Sequence, residues 1–536
     1  MKNTDYSRRT VWFALAVVCG VVALGLVPEF KLFGMTMVRV DILSELRDND
    51  GLVEEAVEYE PNFALLEEEL AKVSAPSVVE ADSLVVEVPV CYEWTIAERE
   101  SLTRARVHSD DVRVANRAGV VAFEDFDTLS TTRLDSFIEK LASGESVRIA
   151  FLGDSFIEGD IVTSDLREEL QSRFGGRGVG FVPADIPFTT VRKSVKRTSS
   201  GWKTYSVMKP KEATEVVRDR FFISGYLADG RVGATTRWQA TNAFSSLDSC
   251  SRARILFISR DTSRVEVIVA DTLRREFEIA GDERMRQIYV EGPVDNIRVR
   301  VLDGAVLCYG ATMDGDGGVA VDNFSVRSNN GHAIFGTSAT VNRQIDDMLG
   351  YDLVVLQYGL NIMQQGQRVY AKYRDQLRNM IAYAERSFPN AAIVVMGVSD
   401  RWVKSAESGE YEPIGSVDAL TSYQRAAADS CGVAFWNTSR VMANLGGMPE
   451  FVAKGWAAKD YTHINYAGGR RIARALAETL CAEVYDYLVA LEEAERLEAE
   501  RLRQEELERE MEAQRRLDEQ IDVVSPVIDS LTWPLD

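Results

Sequence analysis

The sequence predicts an α/β protein in three layers, a parallel sheet with helices on both faces, interrupted by an inserted all-β sandwich. Three observations predict it. Short apolar runs, Val147–Leu152, Leu353–Gln357 and Ala392–Met396, alternate with stretches of helical apolar spacing, and strands buried on both faces read as continuous apolar segments. Between Pro183 and Val321 the texture changes to a period of two, the mark of strands with one buried face. At 536 residues and 46% hydrophobic content, the chain has apolar material for more than one core.

In chain order, Lys2, Arg8 and Arg9 precede an unbroken small and apolar run from Val11 to Val27, closed by Pro28. As a helix the run spans about 25 Å, near the thickness of a ~30 Å hydrocarbon core. Residues 1–30 therefore read as a membrane anchor. A cleaved signal segment is the alternative, because Ala23-Leu24-Gly25 has a small-x-small pattern. Basic residues ahead of such a run stay cytoplasmic, so both readings send the remainder to the periplasm or cell envelope, the first with the inner membrane as a partner. Residues 31–119, rich in Asp and Glu, are expected to be a mostly flexible acidic spacer.

Residues 120–184 are expected to begin the α/β domain. They carry a helix over Thr131–Leu141, the strand Val147–Leu152 closed by Gly153, and a helix over Asp160–Phe174 ended by Gly175-Gly176. Residues 185–322 form the expected insert. Val265, Val267 and Val269, and later Ile297, Val299 and Val301, alternate with polar positions, and turns such as Gly281-Asp282 and Asp303-Gly304 break the runs. An antiparallel sheet packed on one face fits that pattern. Residues 323–487 complete the α/β domain with helices over Thr337–Leu349, Val369–Ser387 and Val417–Cys431, strands over Leu353–Gln357, Ala392–Met396 and Val433–Trp436, and a last helix from near Asn465. Strands alternating with helices imply a parallel sheet whose ligand sits at the strand carboxyl ends.

The tail, 488–536, is dominated by Glu, Arg, Leu and Ala, with favourable pairs such as Glu505–Arg509 and Glu512–Arg516. Its apolar positions keep no strict heptad, so a long solvated helix, single or in a coiled coil, is expected, and it is the place for a protein partner. A net charge of −22 and a pI near 4.8 exclude a nucleic-acid binder, which needs a basic face. The six cysteines are scattered with no zinc spacing, so no metal and no organic cofactor are expected. Cys250 and Cys308 are the pair that an oxidising compartment would allow to bridge.

Two segments carry chemistry. Gly153-Asp154-Ser155 lies where the first strand meets the following helix, so the Ser155 hydroxyl projects at the mouth of the sheet and amides at a helix start favour a developing oxyanion. The bland reading of that serine is a helix cap. Asp460-Tyr461-Thr462-His463 precedes the last helix, and His463 is one of three histidines in the chain. A neutral imidazole takes a serine proton, and a carboxylate fixes its tautomer and stabilises the imidazolium. Ser155, His463 and Asp460 are thus nucleophile, base and orienting acid. Asp154 and Asp160 read as loop-shaping acceptors, Gly175–Gly180 as a turn lacking the Lys-Ser/Thr of a phosphate loop, His332 as pocket or structure, and Trp402 as packing or sugar contact.

In these blocks the chain resembles the SGNH (GDSL) hydrolases: Gly153-Asp154-Ser155-Phe156-Ile157-Glu158-Gly159-Asp160, then Asn329-Asn330-Gly331, Gly359-Leu360-Asn361 and Asp460-Tyr461-Thr462-His463 follow in that family's order. The resemblance implies a three-layer flavodoxin-like fold and an oxyanion hole made by Ser155, Gly331 and Asn361, with Gly336 a competitor for the glycine. The stretch Asp165–Pro183, with Phe174-Gly175-Gly176-Arg177-Gly178-Val179-Gly180-Phe181, is similar to the peptidoglycan O-acetylesterase branch, in which a β-sandwich also lies between the first two blocks. It implies a serine esterase acting on O-acyl, foremost O-acetyl, esters of a cell-envelope glycan. An O-acetyltransferase with the same site and an inactive membrane-tethered glycan-binding scaffold are the rivals.

Overall fold

The computed structural model describes residues 87–97, 107–188, 192–247 and 249–529, with side chains to 519, and two short strands nearer the N-terminus. The chain divides into two compact units, residues 1–72 and 73–536. In the first, Phe30–Leu32 pairs antiparallel with Met35–Met37. The expected membrane segment lies outside the described residues, among which no helix is long and apolar enough to cross a membrane.

The second unit holds an α/β domain with helices α1 (Arg133–Ser143), α2 (Thr163–Phe174), α3 (Ala339–Leu349), α4 (Ala371–Ser387), α5 (Val417–Cys431) and α6 (Tyr466–Asp529). Its strands are β1 (Val147–Gly153), β2 (Val319–Ser325), β3 (Leu353–Gln357), β4 (Ala392–Met396) and β5 (Ala434–Trp436). They form a five-stranded sheet in the order β2-β1-β3-β4-β5, parallel throughout. Alternate side chains of each strand enter separate cores. Ala150, Leu152, Val354 and Leu356 pack with Ile345, Leu377, Ile381 and Leu420 of α3, α4 and α5. Ile149, Phe151, Leu353 and Val355 pack with Phe137, Leu141, Leu166, Leu170, Ile472 and Leu476 of α1, α2 and α6. Three layers follow, and double-sided burial explains why these strands read as unbroken apolar runs.

The β-domain differs from a purely antiparallel sandwich. Hydrogen bonding joins its strands into one branched ten-stranded sheet. The 15-residue strand Tyr226–Ala240 pairs along one side with Val195–Ser206. On its other side it divides, Thr235–Gln239 meeting Asn296–Arg300 and Ala228–Arg231 meeting Ala305–Cys308. One long strand therefore belongs to two layers, a change of partner accompanied by a register shift between Ser200 and Trp202 of its neighbour. The sheet is also mixed, because Val90–Thr95 adds in parallel to Met285–Glu291. Residues 31–119 are thus not spacer throughout, and Val107 and Val112 enter the core beneath α1 and α6.

The boundaries of the insert shift by one strand at each end. Gly178–Pro183 pairs with Ala305–Asp314 of the β-domain, while β2 returns to the parallel sheet beside β1. A shared interior ties the domains together. The rings of Phe181, Phe222 and Phe324 meet at centroid distances of 5.2–5.6 Å. Beside them the Arg148 guanidinium donates to both Asp322 oxygens at 2.9 and 2.8 Å and pairs with Asp314. Asp322 also accepts the Phe181 N–H and the Tyr351 hydroxyl, each at 2.7 Å, so this buried carboxylate is held by several donors. No disulfide joins Cys250 to Cys308, both buried thiols.

Helix α6 is continuous for 64 residues, a length of about 96 Å. Ile472, Leu476, Leu480, Val484 and Leu488 are buried. Beyond them Leu497, Leu502, Leu507, Met511 and Leu517 are exposed, among acid–base pairs such as Arg516–Glu512 and Arg509–Glu505.

Candidate active site

Strand β1 delivers Asp154 and Ser155 to the carboxyl edge of the sheet. The buried Asp154 carboxylate accepts the Phe156 N–H at 2.9 Å and Asn361 Nδ2 at 3.0 Å. Its own N–H donates to Gln357 Oε1 at 3.4 Å. Burial pushes the Asp154 carboxyl up to about 7, against the Phe156 amide, the His463 ring and the side chains of Gln357 and Asn361, which pull it down. Ser155 itself is half-buried.

The amides after Ser155 do not open a regular helix, contrary to the sequence expectation. Gly159 and Asp160 are left-handed, with φ of 63° and 68°, and two such residues interrupt helical hydrogen bonding. Both lie in a single turn, Glu158–Asp160, that leads into α2, which starts at Thr163. Asp160 holds this loop. It is fully buried and accepts Thr163 Oγ1 at 2.7 Å, Arg192 Nε at 2.9 Å and Arg167 Nη1 at 3.3 Å. Against the cost of burial, the two guanidinium groups keep its carboxyl below the ordinary range.

At the other segment, His463 Nδ1 lies 2.7 Å from Asp460 Oδ2, and Asp460 Oδ1 accepts the N–H groups of Thr462 and His463 at 2.9 and 3.0 Å. Burial raises the Asp460 carboxyl, but the ring and the two amides outweigh it and hold the group at about 2. With Nδ1 as the donor to this carboxylate, Nε2 keeps its lone pair for a proton. The start of α6 is clamped to the loop after Ser155. Tyr466 Oη donates to Gly159 O at 2.7 Å and Arg470 Nε to Asp165 Oδ1 at 2.7 Å. Gly469 permits the approach, since a Cβ there would lie 1.9 Å from Ile161 O. His463 is near enough to Asp154 for its charge to act on that carboxyl, yet no hydrogen bond joins the Ser155 hydroxyl to the imidazole.

The three predicted oxyanion donors differ in state. The Ser155 N–H is taken by no other group of the described residues. Asn361 Nδ2 donates both to Asp154 and to Asn329 O, the latter at 3.1 Å. The Gly331 N–H donates to Asn329 Oδ1 at 2.8 Å, from a left-handed backbone (φ 95°) whose missing Cβ would strike the Met380 side chain. Gly336 lies a turn later against Val207 of the β-domain. The His332 ring stands edge-on to Phe335 at 5.2 Å.

Sequence reasoning passed over Gln357, Asn329 as an acceptor, and Arg401. Arg401 Nη1 donates to Leu360 O at 3.3 Å, and its guanidinium, depressed by burial and supported by Asp460, links the Asn361 turn to the acid–base turn. A polar residue ending an apolar strand was the available signal for Gln357. Trp402 lies in a hairpin, Trp402–Lys404 with Tyr411–Pro413, beside Tyr461, which stacks on Tyr411 at 4.1 Å. Among the described residues no cluster of three metal-ligating side chains forms.

No family model matches the chain, and no curated protein is similar to it in sequence. Among solved structures, a peptidoglycan O-acetylesterase aligns over 68% of this chain and 99% of its own, at 20% identity and a TM-score of 0.56. A family two carbohydrate esterase from Cellvibrio japonicus aligns over 55% and 99%, at 11% identity and a TM-score of 0.22, too low to carry weight. The overlap with the first exceeds what the α/β domain alone supplies. The chain therefore shares the fold of a peptidoglycan O-acetylesterase, a parallel α/β domain with an inserted β-rich domain.

Proposed function

We propose that the chain is a serine esterase that removes O-acyl groups, foremost O-acetyl, from a cell-envelope glycan, exported through its N-terminal segment. The observation that carries this reading is the Asp460–His463 pair, its Nδ1 bonded at 2.7 Å, on a helix start clamped to the loop that follows Ser155. In the reaction His463 Nε2 takes the Ser155 proton as Oγ attacks the ester carbonyl. The tetrahedral oxyanion meets the Ser155 N–H, and Asn361 and Gly331 join when they release Asp154 and Asn329. The imidazolium returns the proton to the leaving sugar hydroxyl, and water then cleaves the acyl-enzyme by the same route.

Purified full-length chain is expected to turn over p-nitrophenyl acetate and to release acetate from O-acetylated peptidoglycan. Ser155→Ala is expected to lower kcat/KM by about 10³-fold or more, and undiminished turnover would remove the mechanism. A second reading, a catalytically silent glycan binder, draws on the missing Ser155–His463 hydrogen bond and on the two engaged oxyanion donors. Glycan retention by the wild type without acetate release would favour it.

A further inference from the structure

Tyr461 stands between Asp460 and Thr462, and its backbone is left-handed, with φ of 56°. A residue with a Cβ avoids this region, and a bulky ring makes it rarer still. The reversal at Tyr461 folds the chain back, so that Asp460 Oδ1 accepts the Thr462 and His463 amides while Oδ2 meets His463 Nδ1. Within the turn the Tyr461 N–H donates to Ala458 O at 3.1 Å and the Ala458 N–H to His463 O at 2.7 Å. Those backbone bonds close the turn, but they do not hold the Tyr461 ring.

The ring is held by a segment remote in sequence. Strands Trp402–Lys404 and Tyr411–Pro413 pair with Trp402 opposite Pro413 and Lys404 opposite Tyr411. Residues directly opposite, and residues two apart on one strand, share a face, so Trp402 and Tyr411 stand on the same one. Tyr461 lies against both. Its ring stacks on Tyr411 at 4.1 Å with 18° between the planes and stands 6.4 Å from the Trp402 ring. Its carbonyl accepts the Trp402 N–H at 3.0 Å. The hairpin has a firm base, because the Ile414 N–H donates to Arg401 O at 3.1 Å and Ile414 is buried in the core that α4 and α5 cover.

We propose that Trp402 and Tyr411 are positioning residues, which hold Tyr461 left-handed and so keep the Asp460 carboxylate aligned on His463. The inference rests on the esterase reading for the importance of that alignment to turnover, and not for the alignment itself. The hairpin acts on the base through one stacked ring and one backbone bond. It also ties the base to the Asn361 turn, because Arg401, the residue before Trp402, donates to Leu360 O at 3.3 Å.

The test combines p-nitrophenyl acetate turnover by the full-length chain with NMR of its nitrogen-labelled histidines, the His463 signal being assigned by its loss in His463→Gln. In wild type the neutral His463 ring is expected to carry its proton on Nδ1. Tyr411→Ala is expected to lower kcat about tenfold with little change in KM and to raise the share of the Nε2–H form. Tyr411→Phe, which keeps the stacked ring, is expected to restore both. A second pair serves where Tyr411→Ala folds poorly. Asn tolerates the left-handed region and a β-branched residue does not, so Tyr461→Asn is expected to retain about fivefold more kcat than Tyr461→Val. A folded Tyr411→Ala chain with wild-type kcat and tautomer overturns the role, as does equal activity of the two Tyr461 variants. A loss confined to acetate release from O-acetylated peptidoglycan, with p-nitrophenyl acetate turnover intact, makes the hairpin a glycan contact and overturns it too. A wild type that cleaves no ester, but whose His463 tautomer still answers to Tyr411→Ala, sinks the esterase reading alone. An active enzyme whose tautomer ignores that substitution sinks the positioning role alone.

Discussion

Around Ser155 the flanking residues Asp154, Phe156 and Ile157 are at most 2% exposed, whereas the Asp460 and His463 side chains are 48% and 54% exposed. The proposed nucleophile is positioned by the core and the proposed base by a handful of surface bonds. The difference teaches where adjustment resides. The exposed imidazole can turn while Ile464 beside it stays in the core, and the serine has no comparable freedom. Asn361 and Gly331, the proposed oxyanion donors, lie between these extremes, held by Asn329 and Asp154.

The largest effect expected is on the exposed side. Asp460→Asn leaves the turn in place but removes the charge that orients His463, and kcat is expected to fall by about 10²–10⁴-fold with an almost unchanged melting temperature. A variant within threefold of wild type on p-nitrophenyl acetate would show that Asp460 does not orient the base. Next comes the buried side. The Asp154 carboxyl is raised from 3.8 to about 7, so its neutral form is favoured by folding. Its contribution to stability is full below pH 3.8 and is lost as pH rises through about 7, on the order of 4 kcal/mol in total. Urea unfolding across this window should show a decline in wild type that Asp154→Asn lacks, and parallel curves would contradict the buried carboxyl. The smallest effect concerns the joint between the two turns. Gly469→Ala places a methyl against Ile161 O and is expected to cost about 1–3 kcal/mol. It should lower kcat/KM more than Leu480→Ala, a truncation of a buried side chain farther along the same helix, does, and equal losses would mean that the joint does not align the proposed base.

Much of the α/β domain was legible because its signals are local. Leu353–Gln357, Ala392–Met396 and Val417–Cys431 have the predicted limits, being apolar or amphipathic segments bounded by turn residues. Strand β2 was not legible as part of the parallel sheet. It reads Val-Ala-Val-Asp-Asn-Phe-Ser, and its buried Asp322 is acceptable only because Arg148 and Tyr351 reach it from elsewhere in the chain. Val90–Thr95 was hidden for a similar reason, since its partner Met285–Glu291 is remote in sequence. At the site, the spacing of Asp460 and His463 announced their pairing. The left-handed Gly159-Asp160 break did not, because a non-glycine residue with positive φ depends on the bonds that hold Asp160 in place.

The shared interior beneath the β-domain bears on how such a chain can evolve. An insert attached by two polar linkers can be gained, lost or exchanged as a module. Here removal would strip Phe324 of Phe181 and Phe222 and Arg148 of Asp314. What looks like a graft in the sequence is, in energetic terms, part of the rootstock, so the two domains are constrained to diversify together.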